Sequence, residues 1–440
     1  MFALQKYQNK RIAIYGMGIT GLSVAKIFQR LGTKVFCWDD NEKIRKNIKK
    51  QNFKLSKFWL NKNLVDKIVI SPGIDINKCK IKNYLLKNSN KIITDLDLFF
   101  ELNKRAIIIS ITGTNGKSTT CKIIEKILKT AKYDVKTVGN IGNPILSLKE
   151  VSKKCVLIIE TSSYQLQYSK LFRSKHAAIL NISPDHLERH KNIKNYIKIK
   201  SKIFQAQNNS DYSYINFANK YSDSIKKIFR EKRIKSKLIL VRSSTCKSLL
   251  KKIKNKYFKN KANIENLAFA YKIVKKLKVN DKIVIKALNK FKGLPHRQEI
   301  VLSNKKILCI NDSKATSFDA CLQSLSSYKR IYWIVGGLPK YKDHFYLKNI
   351  KKNILKAYIV GKNTSFFKLQ LNRNIPYTIS KNISNAVNNI YNDLKLEKNN
   401  KNTILLSPAA ASFDQFSNFE NRGDYFRSLI IKKFKKGIHV

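Results

Sequence analysis

The residues that most constrain this chain are 108–120, IISITGTNGKSTT. An apolar run breaks into a short glycine-rich turn and ends in Lys-Ser-Thr. Beyond it Ile123, Ile124, Ile127 and Leu128 recur at helical spacing. Strand, turn and helix in that order make a phosphate cradle, because the unpaired N–H groups at a helix N-terminus point at an anion. The turn is Gly113-Thr114-Asn115-Gly116, and Lys117, Ser118 and Thr119 open the helix. Lys117 carries a charge to the β- and γ-phosphates, and the Ser118 hydroxyl suits Mg²⁺, which keeps most of its waters. The usual phosphate-loop pattern has a further glycine five positions before Gly116, where this sequence has Ile111.

A strand that feeds a helix in this way predicts α/β architecture, and the same alternation runs along the whole chain. Three segments separate: 1–94, 95–297 and 298–440. In the first, strands are expected at 11–16, 34–40 and 67–71, with a helix burying Leu22, Ala25, Phe28 and Leu31. In the second they fall at 106–112, 155–160, 177–182 and 237–241, and a helix over 265–278 aligns Leu267, Ala270, Tyr271, Val274 and Leu277. In the third they fall at 306–312, 331–337, 357–361 and 403–407. At 440 residues the chain is long enough for two to four domains, and its 43% apolar content supplies their cores.

The 89 Lys and Arg against 28 Asp and Glu give a net charge of +61. One reading is a nucleic-acid partner. The lysines are spread along the chain among abundant Asn and Ile, which reads instead as an AT-rich coding bias on solvated helix faces. No specific nucleic acid is expected. Seven cysteines without a CxxC pair fit free thiols in a reducing cytosol. The first residues show no apolar leader, and no stretch reaches the ~18 apolar residues of a membrane span, so a cytoplasmic protein is expected.

Other motifs accompany the phosphate turn. Glu160 ends a predicted strand before TSSYQL; NISPDHLERH (181–190) sets Asp185 and His186 just past the next; NYIKIKSKIF (195–204) is a lysine-rich amphipathic helix. GMGITGLS (16–23) holds Gly16-x-Gly18-x-x-Gly21, with Asp39 about twenty residues on. That fingerprint fits a dinucleotide, so a nicotinamide dehydrogenase is an alternative, but it requires only that a diphosphate sit on the helix N-terminus.

Taken in order, GTNGKST, E-x-S-S-Y-Q-L, N-I-S-P-D-H-L-x-R-H and N-Y-x-x-x-K-x-x-I-F resemble the central domain of the Mur ligases, ATP-dependent enzymes that add amino acids to the peptidoglycan precursor. The shortened loop is the form of that family, shared with folylpolyglutamate synthases. The resemblance implies three α/β domains. The first is Rossmann-like and binds UDP, the second is a phosphate-loop ATPase-like parallel sheet, and the third is Rossmann-like. It implies Mg²⁺ held at two sites by Ser118, Glu160, His186 and Lys200, the last as a carbamate formed with CO₂. Lys198 and Lys202 are rivals for that role.

The flanking segments resemble those of family members that join D-glutamate to UDP-N-acetylmuramoyl-L-alanine. Ile19, Thr20, Asp39, Ser71, Gly73 and Asn140 would meet the UDP substrate. Arg297 and Asp312 would reach ATP, and Lys314 would steady the transferred phosphate. Thr316, Lys340, Ser412 and Phe419 would meet D-glutamate. The resemblance also implies a soluble enzyme expected to be a monomer.

Overall fold

The computed structural model describes all residues except 1, 62–63, 140–144, 149–150, 341–342, 346–349, 372–374, 398–400 and 435–440. The chain divides into two compact units: Met1–Lys259 with Asn263–Phe291, and Asn260–Ala262 with Lys292–Val440.

The first unit contains two sheets. One is four-stranded: β1 (Arg11–Tyr15), β2 (Lys34–Trp38), β3 (Lys67–Ile70) and β4 (Ile92–Ile93), in the order β2-β1-β3-β4 and parallel throughout. The central sheet is six-stranded: β5 (Ile107–Thr112), β6 (Val135–Gly139), β7 (Val156–Glu160), β8 (His176–Ile179), β9 (Tyr212–Asn216) and β10 (Lys237–Val241). Its order is β10-β9-β8-β5-β7-β6, again parallel. Parallel strands are covered on both faces, so they read as unbroken apolar runs. Thus all five residues of β7, VLIIE, are buried.

In both sheets the order reverses beside the strand that carries the glycine turn. β1 lies between β2 and β3, and β5 between β8 and β7. The crevice at the carboxyl end of such a strand is where open α/β sheets take ligands.

One core cluster continues from Ile12, Ile14 and Phe28 through Leu96 and Phe99 to Leu157, Ile159 and Phe204 on one face of the central sheet. The expected boundary at 94 therefore falls inside one compact unit. Asp97, in the helix Asp95–Leu102, fastens the join. Its Oδ1 accepts from Ser169 Oγ (2.7 Å) and from the N–H groups of Lys170 (3.0 Å), Leu171 (2.8 Å) and Phe172 (3.1 Å). Its Oδ2 accepts from Thr94 N (3.1 Å) and Thr94 Oγ1 (3.0 Å), closing a capping box.

The second unit is built on one six-stranded sheet: β11 (Glu299–Ser303), β12 (Ile307–Asn311), β13 (Ile331–Gly336), β14 (Ile354–Val360), β15 (Tyr377–Lys381) and β16 (Asn402–Leu406). The order is β11-β12-β16-β13-β14-β15; β11 is antiparallel and the rest are parallel. Among the described residues all seven cysteines are free, and no helix is long and apolar enough to cross a membrane.

Candidate active site

The absent glycine has a structural answer. Strand β5 runs on through Thr112, and Ile111 is fully buried, paired with Glu160 of β7 and Ala178 of β8. A glycine there would weaken a central strand, and the turn needs only 113–116. Gly116 caps the helix Lys117–Thr130 at φ +83°, a conformation that disfavours side chains. A Cβ there would also collide with the Asn266 side chain.

Two asparagines hold the turn: Asn181, which opens the NISPDHLERH motif, and Asn266, which no motif marks. Asn181, past β8, accepts from Asn115 N (2.8 Å) and donates to Asn115 O (3.1 Å), and its carbonyl takes Thr114 N (3.0 Å). Asn266, from the helix Lys261–Lys276, takes Thr120 Oγ1 at 3.3 Å. The Thr114 hydroxyl donates to Ser183 O (3.2 Å) and accepts from Ser183 N (3.0 Å). Thr119 is buried behind the turn.

The turn gathers charge-bearing side chains. Lys117 Nζ donates to the carbonyls of Gly113 (3.0 Å) and Thr114 (2.8 Å). Ser118 Oγ donates to Glu160 Oε2 at 2.6 Å; both residues are buried. Lys200 is 2% exposed, and its Nζ lies 3.0 Å from Gly113 O and 3.3 Å from Thr112 Oγ1. Burial, then the Lys117 charge, hold its amine well below the ordinary lysine value, against the opposite pull of Asp185 and Glu160.

Helical phase separates this lysine from Lys198 and Lys202. On the helix Ile193–Ser201 the buried face is Tyr196, Ile197, Lys200 and Ser201, while Lys198 is exposed. Lys202 turns away and donates to Gln167 O at 2.6 Å.

His186 sits in the left-handed region (φ 54°) at the start of the short helix Leu187–His190. It is 35% exposed, 3.0 Å from Tyr164 OH and 3.5 Å from the carboxylates of Asp185 and Glu188. Among the described residues no three His, Cys, Asp or Glu side chains cluster tightly enough to hold a metal by themselves. The donor set is a hydroxyl and a carboxylate beside a phosphate turn. It fits a hard cation that brings its own waters and takes phosphate oxygens.

The glycine turn of the first sheet is made differently. A Cβ at Gly21 would collide with the Gly16 carbonyl oxygen, whereas one at Gly18 would meet nothing within 4 Å. Asp39 accepts from Met17 N (2.7 Å) and Asn41 N (2.8 Å), so it braces the turn from β2. Ser71 donates to Gly16 O, Ile19 is 76% exposed and Asn140 lies outside the described residues. Thr20 and Gly73 line a cavity of about 480 Å³ whose other wall includes Ser162, Tyr164, Gln165 and Arg189. Arg189 ties the two sheets: it donates to the carbonyls of Gly73 (3.3 Å) and Ile74 and to Gln167 Oε1 (2.8 Å). The cavity therefore joins the carboxyl ends of both sheets.

In the second unit the expected residues also collect at strand ends. Asp312, just past β12, is buried; its carboxyl accepts from Gln298 N (3.1 Å), Ser324 Oγ and Ser407 Oγ (3.4 Å), and burial raises its pKa to about 7. Lys314 Nζ lies 3.8 Å from the Phe419 ring centre. Arg297, Thr316 and Lys340 are half-buried, and Ser412 is buried. Arg422, unmarked by the sequence motifs, binds these loops together, donating to Ser313 Oγ (3.0 Å), Ser313 O (2.8 Å) and Ala410 O (3.0 Å).

A strand-turn-helix with Lys and Ser at its head, a carboxylate on the adjacent strand and parallel sheets throughout define a nucleotide-binding α/β protein of the phosphate-loop class. Residues 111–286 match the Mur ligase middle domain, and residues 10–93 match the Mur ligase MurD-like N-terminal domain. The chain is 35% identical to the UDP-N-acetylmuramoylalanine–D-glutamate ligase of Rickettsia felis, over 97% of this chain and 98% of that one. It is 34% identical to the ligase of the same name from Rickettsia bellii, over 96% and 97%. Among solved structures, the UDP-N-acetylmuramate-alanine ligase of Thermotoga maritima superposes with a TM-score of 0.51 over 96% of this chain and 99% of that one, at 14% identity. That likeness concerns the fold alone. The chain belongs to the Mur ligase family, with an N-terminal segment of the MurD-like kind.

Proposed function

We propose that the chain is an ATP-dependent, ADP-forming amide ligase that joins D-glutamate to UDP-N-acetylmuramoyl-L-alanine in peptidoglycan precursor synthesis. Relatives of that name align along nearly its whole length. The observation that carries the chemistry is the packing of Lys117, Ser118–Glu160 and the buried Lys200 around one phosphate turn.

A carboxylate is a poor electrophile, so amide formation needs activation. The alanyl carboxylate attacks the γ-phosphorus of ATP, giving an acyl phosphate and ADP. The D-glutamate amine then attacks the acyl carbon, and inorganic phosphate leaves. Two anions must meet in the first step, and their repulsion is what the site offsets. Lys117, now on the turn's own carbonyls, is placed to exchange them for phosphate oxygens. The N–H groups at the head of the helix Lys117–Thr130 would take the same phosphates.

Ser118 and Glu160 would hold one Mg²⁺, and His186 with a carbamylated Lys200 a second; such ions neutralise phosphate charge. A neutral amine is what CO₂ requires, and the depressed basicity of Lys200 supplies it. Ile19, Thr20, Asp39, Ser71, Gly73 and Asn140 keep the UDP-substrate role. Arg297 and Asp312 keep the ATP role, and Thr316, Lys340, Ser412 and Phe419 the D-glutamate role. The three-domain division at 94 and 297, a monomer and a cytoplasmic location complete the reading.

The test is phosphate release from ATP and Mg²⁺ by the purified chain. Release is expected only with both UDP-N-acetylmuramoyl-L-alanine and D-glutamate. Equal release with L-lysine or a diaminoacid in place of D-glutamate would overturn the assignment.

A further inference from the structure

Asp95 opens the helix Asp95–Leu102 and is 2% exposed. It lies in the wall of the 480 Å³ cavity with Thr20, Gly73, Ser162 and Gln165. Two residues on, Asp97 has every lone pair engaged. Asp95 does not: its Oδ1 has no hydrogen-bond partner among the described residues. Gln165 lines the same wall. Its Oε1 accepts from Ser162 N and Ser162 Oγ (3.1 Å each). Burial raises the Asp95 pKa to about 6.

A buried carboxyl oxygen without a donor is costly, and such a vacancy in a cavity wall suits a ligand that brings the donor. The position narrows the choice. A sugar nucleotide reaching from Thr20 and Gly73 toward the phosphate turn passes this wall with its middle portion. Its diphosphate and its carboxylate are anions that a carboxylate repels, which leaves the uncharged hydroxyl and amide groups between them.

We propose that Asp95 is a specificity-determining residue whose Oδ1 accepts a hydrogen bond from a neutral donor, a sugar hydroxyl or an amide N–H, in the central part of the sugar-nucleotide substrate. The inference rests on the ligase reading and adds a residue to it. A site built around such a bond rejects an analogue lacking the donor far more strongly than an apolar wall does.

The test is Asp95→Asn in the full chain. The change keeps the size of the side chain and replaces a carboxylate acceptor by an amide donor. The KM for UDP-N-acetylmuramoyl-L-alanine is expected to rise about ten- to a hundredfold. The KM values for ATP and D-glutamate should move less than about twofold. Thermal unfolding gives a second readout: the variant should lose stabilisation by the sugar nucleotide and keep that by Mg-ATP. An unchanged sugar-nucleotide KM overturns the inference. So does a variant whose free-state Tm and response to Mg-ATP fall along with it, because that marks a structural role. Wild-type turnover with both substrates, measured alongside, separates a failure of the ligase reading from a failure of Asp95.

Discussion

The first unit holds two glycine turns of the same design, each between a central parallel strand and a helix, and they are finished in opposite ways. The turn after β1, GMGITGLS, holds no lysine, and Asp39 and Ser71 brace its backbone. The turn after β5 is ringed by Lys117, Ser118, Glu160 and a buried Lys200. A backbone cradle can hold a diphosphate; only the second arrangement changes the charge felt by a reacting one. The fold supplies the cradle twice, and ionisable side chains decide which copy does chemistry.

The largest expected effect lies at the second turn. Lys200→Ala should lower turnover about a hundred- to a thousandfold, the scale of losing a main electrostatic contact. A small carboxylate added to the buffer should restore part of it, and Lys198→Ala should leave activity near wild type. Full activity in Lys200→Ala would remove the distinction between the turns.

Next comes the acid sensitivity that buried ionisable groups bring to the central sheet. His176, at the start of β8, is 2% exposed, bonded to Tyr214 OH at 3.0 Å, and burial lowers its pKa to about 4. The unfolded chain binds this proton near pH 6.5 and the folded chain only near 4. Stability is therefore full above pH 6.5 and falls as pH drops between those values, by on the order of 3 kcal/mol at most. His190, also buried and lowered to about 4, shares the effect. Urea unfolding from pH 7 to pH 4 should show a shallower decline in His176→Gln, which keeps a partner for Tyr214; an identical decline would place the acid sensitivity elsewhere.

A smaller effect separates two glycines of the first turn. Gly21→Ala forces a methyl into the Gly16 carbonyl and should cost about 1–3 kcal/mol, with weaker sugar-nucleotide binding. Smallest of all, Gly18→Ala meets open space and should stay within about 0.5 kcal/mol of wild type by thermal unfolding. If both substitutions behaved alike, close helix–strand packing would not be what that turn requires.

Sequence reading found those features whose signal is local. The apolar runs of β5, β7 and β13 and the phosphate turn stand out because neighbours in sequence carry the pattern. Periodicity did not single out Lys200: by itself a lysine there reads as solvated, and only the family resemblance favoured it over Lys198 and Lys202, whereas the fold buries it with Tyr196 and Ile197. It did not mark β6, β9 or the edge strands β11 and β15, whose residues are mixed and partly exposed, such as YTISK in β15. Asn266 and Arg422 were equally silent, and Asn181 and Arg189 stood inside a motif that did not tell what they hold. Each acts on a segment distant in sequence, and a polar side chain whose partner lies far along the chain leaves no mark in the local pattern. The Ile111 anomaly had a local trace but a non-local cause, the two neighbouring strands that keep β5 extended to Thr112.

The six donors around Asp97 have a consequence for anyone cutting or splicing this gene. A fragment ending at residue 94 would forfeit Leu96 and Phe99 from its core, and the remainder would begin with an acidic helix stripped of its Thr94 cap. Chimeras between relatives should therefore exchange the first sheet together with the 95–102 helix and the 169–172 turn, or expect an insoluble product.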